Sequence, residues 1–321
     1  MDYYLGADIG SSKTQVMIAD GAGRKTGLGL AGPGNHQTVG YAGMLAALRK
    51  AATEACDQTG ISAGELSGSG FGISGYDWPS DAPHMLQVIN KLGLGGHIEI
   101  HNDAILGLVA GTAAGWGIAV VSGTGCNCWG WDKKRNHIGR VTGFGDLAGE
   151  AAGSTELVYR AMQLVAHAWT QRGQRTALTE ILIRYAGAED EVDLLEGYTT
   201  NRYQVDGNAA PLIFQAAEDG DPVATQLIDW AGRELGEMVK AVIRQLNFQD
   251  LEFEVVLVGS MFKAGQVLID PMHLSIQELA PKAHLVRLNL PPVVGGVLIG
   301  MQVGGLQVTP QIHQALADSF K

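Results

Sequence analysis

Apolar residues along this chain alternate between short strand-like runs and longer stretches with a helical period. In Tyr3–Asp20, two apolar, β-rich runs flank a tight turn that begins at Gly10. Such runs joined by a Gly-containing turn predict a β-hairpin. A run of the same design, strand, Gly/Ser/Thr turn and strand, occurs at Gly117–Trp131. The repeat predicts two related halves.

Each hairpin is followed by the same succession of elements. In the first half the pattern predicts a third strand at 24–31, strands at 71–74 and 97–101, and helices at 41–56, 81–92 and 104–113. The second of these helices is expected to be capped by Asp81. In the second half it predicts strands at 137–142, 253–258 and 283–288, helices at 147–171 and 221–247, and a last helix opening at 291. Asp221 and Pro222 supply the N-cap and a first-turn proline of the helix at 221–247. The shared order is βββαβαβα, an α/β fold with an insertion at about 172–220.

The small residues at 111–117 mark a domain boundary in this scheme. We expect one domain at 1–114 and a second at 115–305. A C-terminal helix at 306–321 is expected to join the first domain.

Composition narrows the class of protein. Of the 321 residues 46% are hydrophobic and 17% charged, which is typical of a globular chain. The formal net charge of -11 and the lack of a Lys/Arg run argue against a nucleic-acid partner. No apolar run approaches the ~20 residues of a membrane span, and a strand begins at once near the N-terminus. We therefore expect no membrane attachment, no signal peptide and a cytoplasmic location.

The two hairpin turns have the composition of phosphate-binding loops. Glycine and hydroxyl residues expose backbone N–H groups and O–H donors, which a phosphate group needs. Asp8 precedes the first turn, and an acid beside a phosphate would be repelled unless a cation lay between them. Asp8 therefore indicates Mg²⁺, held through water. The alternative is an ordinary hairpin with a solvated acid.

The duplicated order, with a Gly/Thr hairpin in each half, resembles the actin, hexokinase and Hsp70 superfamily. Within it, the chain resembles the BadF/BcrA ATPase and N-acetylglucosamine kinase family through short motifs that occur in the family's order. They are DIGSSKT from Asp8, GPGN from Gly32, NDA from Asn102, SGTGCN from Ser122, VLVGS from Val256 and PPVVGGVLIG from Pro291. The resemblance implies duplicated actin-like (ribonuclease H-like) ATPase domains with an interdomain cleft, and ATP and Mg²⁺ as cofactors.

The family's nucleotide-binding positions can be carried over to this chain. The resemblance assigns Asp8 to Mg²⁺ and Gly259 and Ser260 to the nucleoside. It assigns to the phosphates Gly10, Ser11, Ser12, Lys13, Thr14, Gly123, Thr124 and Gly125.

The family's catalytic base falls on Asp103. An Asp at the carboxyl end of a strand can accept the proton of an attacking sugar hydroxyl. The alternative is that Asp103 merely caps the following helix. Candidates for sugar binding are Asn35, Gly75, Asn102, Asp103, Gly143, Phe144, Gly145 and Glu150.

The last of these positions lie in a loop that departs from the family. Where sugar kinases of this type read GWGHxxGDEGS, this chain reads GFGDLAGEAAGS from Gly143. Phe144 replaces Trp, Glu150 falls at the family's Asp, and Ala151 replaces its Glu. ATP binding is unaffected by this change, whereas substrate identity is left open.

The leading hypothesis is an ATP-dependent kinase of a hexose or amino sugar, with N-acetylglucosamine as first candidate. The rivals are a BadF-type ATPase that activates a partner and a non-catalytic sugar-responsive regulator. Cys126 and Cys128 suggest a metal only weakly, because a CxC pair on a strand points both thiols to one face, as small core residues. The acidic run from Glu189 indicates a solvated helix start. Family resemblance favours a homodimer.

Overall fold

The structure of the protein, a computed structural model, describes residues 1–112, 114–142 and 150–320. The strands of the first sheet are β1 (Tyr3–Ile9), β2 (Thr14–Asp20), β3 (Lys25–Ala31), β4 (Leu66–Ile73) and β5 (His97–Asn102). Their order is β3-β2-β1-β4-β5; β2 is antiparallel to both β1 and β3, whereas β1, β4 and β5 run parallel. The carboxyl ends of those three parallel strands therefore share one edge of the sheet.

The helices of the first half are α1 (His36–Thr59), α2 (Ala82–Asn90) and α3 (Asp103–Gly111). They complete the predicted βββαβαβα order. One face of the sheet is apolar because the residues of β1 and β2 that point to it are aliphatic, and this face packs on α1 around Leu48. The opposite face meets the end of the chain, as described below.

The second sheet repeats the first. Its strands are β6 (Gly117–Ser122), β7 (Cys126–Trp131), β8 (Ile138–Val141), β9 (Phe253–Val258) and β10 (Ala283–Arg287), in the order β10-β9-β6-β7-β8. Its helices within the described residues are α4 (Ser154–Trp169), α5 (Leu178–Ala186), α6 (Glu191–Thr199), α7 (Ala210–Glu218), α8 (Pro222–Leu246) and α9 (Gln266–Gln277). The chain ends with α10 (Val293–Val303) and α11 (Pro310–Asp318). The predicted fold class is confirmed.

Contacts divide the chain into two compact units that interleave along the sequence. Unit 1 contains Met1–Ala119, Gly130–His137 and Val286–Lys321, and unit 2 contains Val120–Trp129 and Ile138–Leu285. The division into domains at 114 and 305 stays a prediction. Among the described residues, no helix is long and apolar enough to cross a membrane.

Helix α10 packs directly against the backbone of the first sheet. A Cβ atom on Gly6 of β1 would lie 2.3 Å from the backbone nitrogen of Val297, and one on Gly70 of β4 would lie 2.3 Å from the carbonyl oxygen of Gly296. These contacts are with backbone, which cannot rotate away as a side chain can. Glycine on β1 and β4 is therefore required for this helix to reach the sheet.

Two predicted helix starts are wrong in detail. Asp81 was expected to cap α2, but its carboxylate accepts hydrogen bonds from the backbone N–H groups of Asp77 and Trp78 and so closes the preceding turn. The helix expected at 147–171 is α4, which begins only at Ser154. By contrast, α8 has the predicted cap at Asp221, whose side chain accepts from the Ala224 N–H.

In both sheets, a glutamine side chain from a helix forms hydrogen bonds with the backbone of an edge strand. The side-chain amide of Gln58, on α1, pairs with both the N–H and the C=O of Leu28 on β3, at 3.0 and 2.9 Å. Gln245, on α8, pairs in the same way with Arg140 on β8, at 2.8 and 3.0 Å. Each amide imitates a neighbouring strand at a sheet edge, where unpaired backbone groups would otherwise invite association.

We expect Gln58→Ala and Gln245→Ala each to lower the free energy of unfolding by about 1 kcal/mol, because each removes a pair of solvent-exposed hydrogen bonds. Urea unfolding followed by circular dichroism measures the change. Gln314→Ala, on the exposed surface of α11, is the matched control. Variants as stable as this control would show that the amides contribute nothing to the edges.

Candidate active site

The first hairpin turn lies at the shared edge of the first sheet, between β1 and β2. The Gly10 N–H donates to the carbonyl of Lys13 at 2.9 Å and closes the turn. The side chains of Ser11, Ser12 and Lys13 are exposed at its tip. Thr14 differs from them because it is fully buried and Gly34 packs on its hydroxyl group. Thr14 therefore packs inside the protein at the base of the turn, whereas the three residues before it face the solvent.

Two further segments are hydrogen-bonded to this hairpin. The backbone N–H groups of Gly34 and Asn35 donate to the carbonyl of Gly10 at 3.1 and 3.3 Å. The N–H of Ser74 donates to the carbonyl of Ile9 at 2.9 Å. The segment that follows β4, 74–78, is called the sugar loop below. The structure thus brings predicted sugar-binding residues next to the predicted phosphate hairpin.

Asp8 lies on β1 just before the turn and is partly buried. Burial raises the pKa of its carboxyl group from 3.8 to about 6, and the nearby charge of Lys13 partly offsets the rise. Gln15 on β2 pairs directly with Asp8 across the ladder, so the two side chains project from the same face. Gln15 is 8% exposed, and its side-chain oxygen is buried without a hydrogen-bond partner among the described residues.

Gln15 was missed at the level of sequence. The Gln15 side-chain oxygen is buried without a donor in the described part of the chain, and it lies on the same face as the desolvated Asp8 carboxylate, so both oxygens can accept from the water ligands of a cation. The signal was present in the strand register, which pairs the second residue of β2 with Asp8. These residues fit a hydrated cation.

Asn102 and Asp103 stand where β5 passes into α3, at the same edge of the sheet. The side-chain oxygen of Asn102 accepts from the Ala104 N–H at 3.1 Å and caps α3. The alternative role of Asp103 as the cap is therefore wrong, since Asp103 is the first residue inside the helix. The amide nitrogen of Asn102 donates to the carbonyl of Tyr76 and the carboxylate of Asp77, at 3.2 and 3.3 Å.

These bonds anchor the sugar loop next to Asp103 and bring in Asp77, a second acid that sequence reasoning missed. Asp77 carries no motif of its own, because its place beside Asn102 follows from the parallel pairing of β4 and β5. The edge of the first sheet therefore collects the phosphate hairpin, the sugar loop and two acids.

The second hairpin turn belongs to unit 2. The Gly123 N–H donates to the carbonyl of Gly125 at 2.9 Å, and Thr124 is exposed at the tip. The first N–H groups of α4, from Ser154 and Thr155, donate to the carbonyls of Gly123 and Thr124 at 2.8 and 3.1 Å. The N-terminal end of α4 is therefore hydrogen-bonded to the turn.

The loop after β9 is seated against this hairpin. Gly259 has a φ of +113°, and a Cβ there would lie 2.2 Å from the carbonyl oxygen of Ser122. Next to it opens a cavity of about 530 Å³ within unit 2, which both Thr124 and Ser260 line. Its walls also contain apolar Phe214 and Met261. One predicted phosphate residue, Thr124, and one predicted nucleoside residue, Ser260, therefore border the same cavity, which is partly apolar, as a flat heterocycle requires.

Glu150 is 7% exposed. The negative charges of Glu150 and Glu156 lie close enough to the Cys126 thiol to affect its pKa. Burial, with these two carboxylates, raises the pKa of Cys126 to about 12. The pKa of the Cys128 thiol is raised by burial as well. Both cysteines are free and buried, as expected of small core residues. Gly143, Phe144 and Gly145 lie outside the described residues.

Two mixed five-stranded sheets with a phosphate-type hairpin in each define a class, the actin-like ATPase fold. The chain belongs to the BadF/BadG/BcrA/BcrD ATPase family, whose sequence profile matches residues 5–300.

Named relatives match nearly the whole chain. The N-acetyl-D-glucosamine kinase of Dictyostelium discoideum is 26% identical over 94% of this chain and 98% of its own length. The N-acetylmuramic acid/N-acetylglucosamine kinase of Clostridium acetobutylicum is 25% identical over 93% and 98%. A solved structure from Chromobacterium violaceum, described provisionally as an N-acetylglucosamine kinase, has a TM-score of 0.69 at 22% identity and covers 93% of this chain and 99% of its own.

The raised pKa of Asp8 predicts a pH effect on the stability of the ligand-free protein. The folded state holds this proton more tightly than the unfolded state, so its contribution to stability is present below pH 4 and is lost as the pH rises through 6. Asp8→Asn should therefore stabilise the protein by up to about 3 kcal/mol at pH 7.5, and the gain should vanish near pH 4. Urea unfolding at both pH values measures it, with the exposed Asp250→Asn as control. Equal stabilities of wild type and Asp8→Asn at pH 7.5 would contradict the prediction.

Proposed function

We propose that this protein is an ATP-dependent kinase that phosphorylates a hydroxyl group of an amino sugar or related hexose, with N-acetylglucosamine as the first candidate. The observation that carries the proposal is the hydrogen-bonded cluster at one edge of the first sheet. There the phosphate hairpin, the sugar loop and Asp103 lie side by side. The names of the two full-length relatives support this choice.

In this proposal Asp103 is the general base. Because Asn102 supplies the helix cap, the carboxylate of Asp103 is not needed for that purpose. As the sugar hydroxyl oxygen bonds to the γ-phosphorus of ATP, its proton passes to the Asp103 carboxylate and the bond from phosphorus to the ADP oxygen breaks. Asp77, held by the same Asn102, orients the loop that faces the sugar.

Each hairpin turn is proposed as a phosphate-binding turn. In the first, Gly10, Ser11, Ser12 and Lys13 offer N–H, O–H and ammonium donors. In the second, Gly123, Thr124 and Gly125 offer donors, and Gly259 and Ser260 would contact the nucleoside; Ser260 lines the adjoining cavity.

Asp8 and Gln15 would hold Mg²⁺ through its water ligands. The Asp8 carboxylate and the Gln15 side-chain oxygen are acceptors that burial has desolvated, and the water ligands of a hydrated cation supply donors to them. When bound, Mg²⁺ neutralises charge on the phosphate oxygens and lowers the barrier to transfer. Among the described residues no cluster of three His, Cys, Asp or Glu could enclose a metal ion, which suits an ion that takes most ligands from water and phosphate.

For the sugar, we propose contacts from Asn35, Gly75, Asn102 and Glu150. Gly143, Phe144 and Gly145, which lie outside the described residues, stay candidates on the family resemblance. The rate of ATP turnover with and without sugar distinguishes a kinase from the two rival functions, because only a kinase consumes ATP in proportion to the sugar that it phosphorylates. A partner-activating ATPase would hydrolyse ATP without sugar, and a regulator would not turn ATP over.

We also propose, on family resemblance, that the protein is a homodimer and is located in the cytoplasm. Gel filtration tests the first proposal and cell fractionation the second.

Replacing the proposed base, Asp103, should lower the turnover rate without changing the affinity for nucleotide. We expect Asp103→Asn to bind nucleotide as wild type does and to lose about 10²- to 10⁴-fold in turnover, because an amide keeps the shape but cannot accept the proton. An ADP-coupled assay with N-acetylglucosamine and calorimetry with a non-hydrolysable ATP analogue measure the two quantities. The exposed Asp270→Asn is the matched control. Turnover within about threefold of wild type would remove Asp103 from this role.

The altered loop generates a prediction about specificity. If Glu150 contacts a sugar hydroxyl, Glu150→Ala should reduce kcat/KM on the best sugar by about 100-fold, since a site built on hydroxyl contacts discriminates strongly when one is lost. The assay compares N-acetylglucosamine, glucosamine, N-acetylmannosamine and glucose. Glu180→Ala, on the exposed face of α5, serves as control. Unchanged kinetics on all four sugars would show that Glu150 makes no sugar contact.

A further inference from the structure

We propose that a cavity in unit 1, separate from the candidate active site, binds a small organic anion that has an apolar body. The cavity has a volume of about 340 Å³ and opens between α1, the segment 61–63 and the segment 91–94 that follows α2. This volume lies at the lower end of the range for ligand pockets and leaves room for a molecule of about twelve non-hydrogen atoms. The proposal does not depend on the proposed function.

The cavity lies far from the edge of the sheet that carries Asp103. α1 begins at His36, next to the segment that is hydrogen-bonded to the phosphate hairpin, whereas its residues that line the cavity lie between 49 and 57. With a rise of 1.5 Å per residue, even the first of them is roughly 20 Å along the helix from its beginning. A ligand in this cavity would therefore leave the candidate active site open.

One face of α1 forms a wall of the cavity. The residues of this face follow the i, i+3, i+4, i+7, i+8 spacing of a helix, and they are Arg49, Ala52, Thr53, Cys56 and Asp57. Ala52 and Cys56 are each 6% exposed and belong to the hydrophobic core of unit 1. Because the core reaches the cavity at these two residues, this wall has an apolar floor.

The opposite wall is apolar as well. Ile61, Leu92 and Leu94 line it, and all three are partly buried hydrophobic residues that pack against the same core. A ligand group that displaces water from these side chains gains hydrophobic free energy in proportion to the apolar area that it covers. The two walls therefore favour a ligand with an apolar body.

The thiol in the floor of the cavity carries no charge at neutral pH. Burial and, as a smaller effect, the negative charge of Asp57 raise the pKa of Cys56. A protonated, buried thiol behaves as a small hydrophobic group and is a poor nucleophile. The cavity is therefore suited to reversible binding and not to a covalent reaction.

The charged groups at the rim favour an anion. Arg49 and Lys91 both line the cavity, and neither side chain has an ion pair or hydrogen bond within the part of the chain that the structure describes. Other basic residues of this acidic chain, such as Arg233 and Lys240, are paired with carboxylates. Asp57 also lines the cavity, but it lies about 12 Å from Arg49 along α1 and does not neutralise it.

The rim and the walls together indicate the chemical class of the ligand. A guanidinium group binds a carboxylate through two parallel hydrogen bonds, and an ammonium group adds a further charge-assisted bond. The apolar walls then hold the carbon skeleton. We therefore expect an aromatic or aliphatic carboxylate, and not a sugar or an inorganic ion, to be the preferred occupant.

The test uses 4-phenylbutyrate as the probe, because it joins an apolar body to one carboxylate. Its alcohol analogue, 4-phenylbutan-1-ol, keeps the apolar body and lacks the charge. Titrations of the full-length protein, followed by the methyl NMR signals of Ile61, Leu92 and Leu94, measure both affinities and show where each molecule binds. We expect a Kd in the low millimolar range for the acid, and binding about tenfold weaker for the alcohol.

Substitutions at the rim test the source of this preference. We expect Arg49→Gln and Lys91→Gln each to weaken binding of the acid about threefold, and the double variant to bind acid and alcohol equally. Lys50→Gln is the matched control, since Lys50 is an exposed neighbour on α1 that does not line the cavity. It should keep the wild-type preference for the acid.

The proposal fails if 4-phenylbutyrate leaves the three methyl signals unshifted at about ten times the expected Kd. It also fails if wild type binds acid and alcohol equally, or if the double variant keeps the wild-type preference, because the charge of the rim would then play no part. Thermal unfolding shows whether each variant is folded. If the double variant is not, the two single variants decide.

Discussion

The close approach of α10 to β1 and β4 is the contact on which the first unit depends. It exists because Gly6 and Gly70 present backbone where any other residue would present a Cβ 2.3 Å from helix backbone. The same principle recurs in unit 2, where Gly259 meets the carbonyl of Ser122. In unit 1 glycine sets the spacing between two strands and a helix, and in unit 2 it sets the spacing between the residue after β9 and the end of β6.

At the edge of the first sheet, the protein alone does not supply hydrogen-bond donors or positive charge to all of its buried oxygen atoms. The Asp8 carboxylate is partly buried, and the Gln15 side-chain oxygen is buried without a partner among the described residues. Burial raises the pKa of Asp8 to about 6, and the charge of Lys13 offsets only part of this rise. With a net charge of -11, the chain also has no general attraction for phosphate. Attraction must therefore be local, from hairpin donors and a cation, which is the arrangement that a phosphoryl-transfer site needs.

The polar side chains of this edge act mainly on one another. Asn35 joins the hairpin to the sugar loop, and Asn102 joins the same loop to the start of α3. Both asparagines are almost completely buried, so their hydrogen bonds are made in a weakly screened environment and hold the segments in a fixed relation. Within unit 1, these hydrogen bonds hold the hairpin, the loop after β4 and the start of α3 next to one another without a ligand.

The sequence alone determined the duplicated order of elements, the two hairpin turns and the family, because these follow from local periodicity, glycine placement and short motifs. It also determined the cap at Asp221, since capping is a property of adjacent residues. Only the tertiary structure decided that Asp81 closes a turn and that Asn102 caps α3 instead of Asp103. Gln15, Asp77 and the edge amides of Gln58 and Gln245 were likewise invisible, because their roles arise from strand register and from contacts between residues far apart in the chain. Local patterns specify which elements form; the partners of a buried polar group are specified only when those elements pack together.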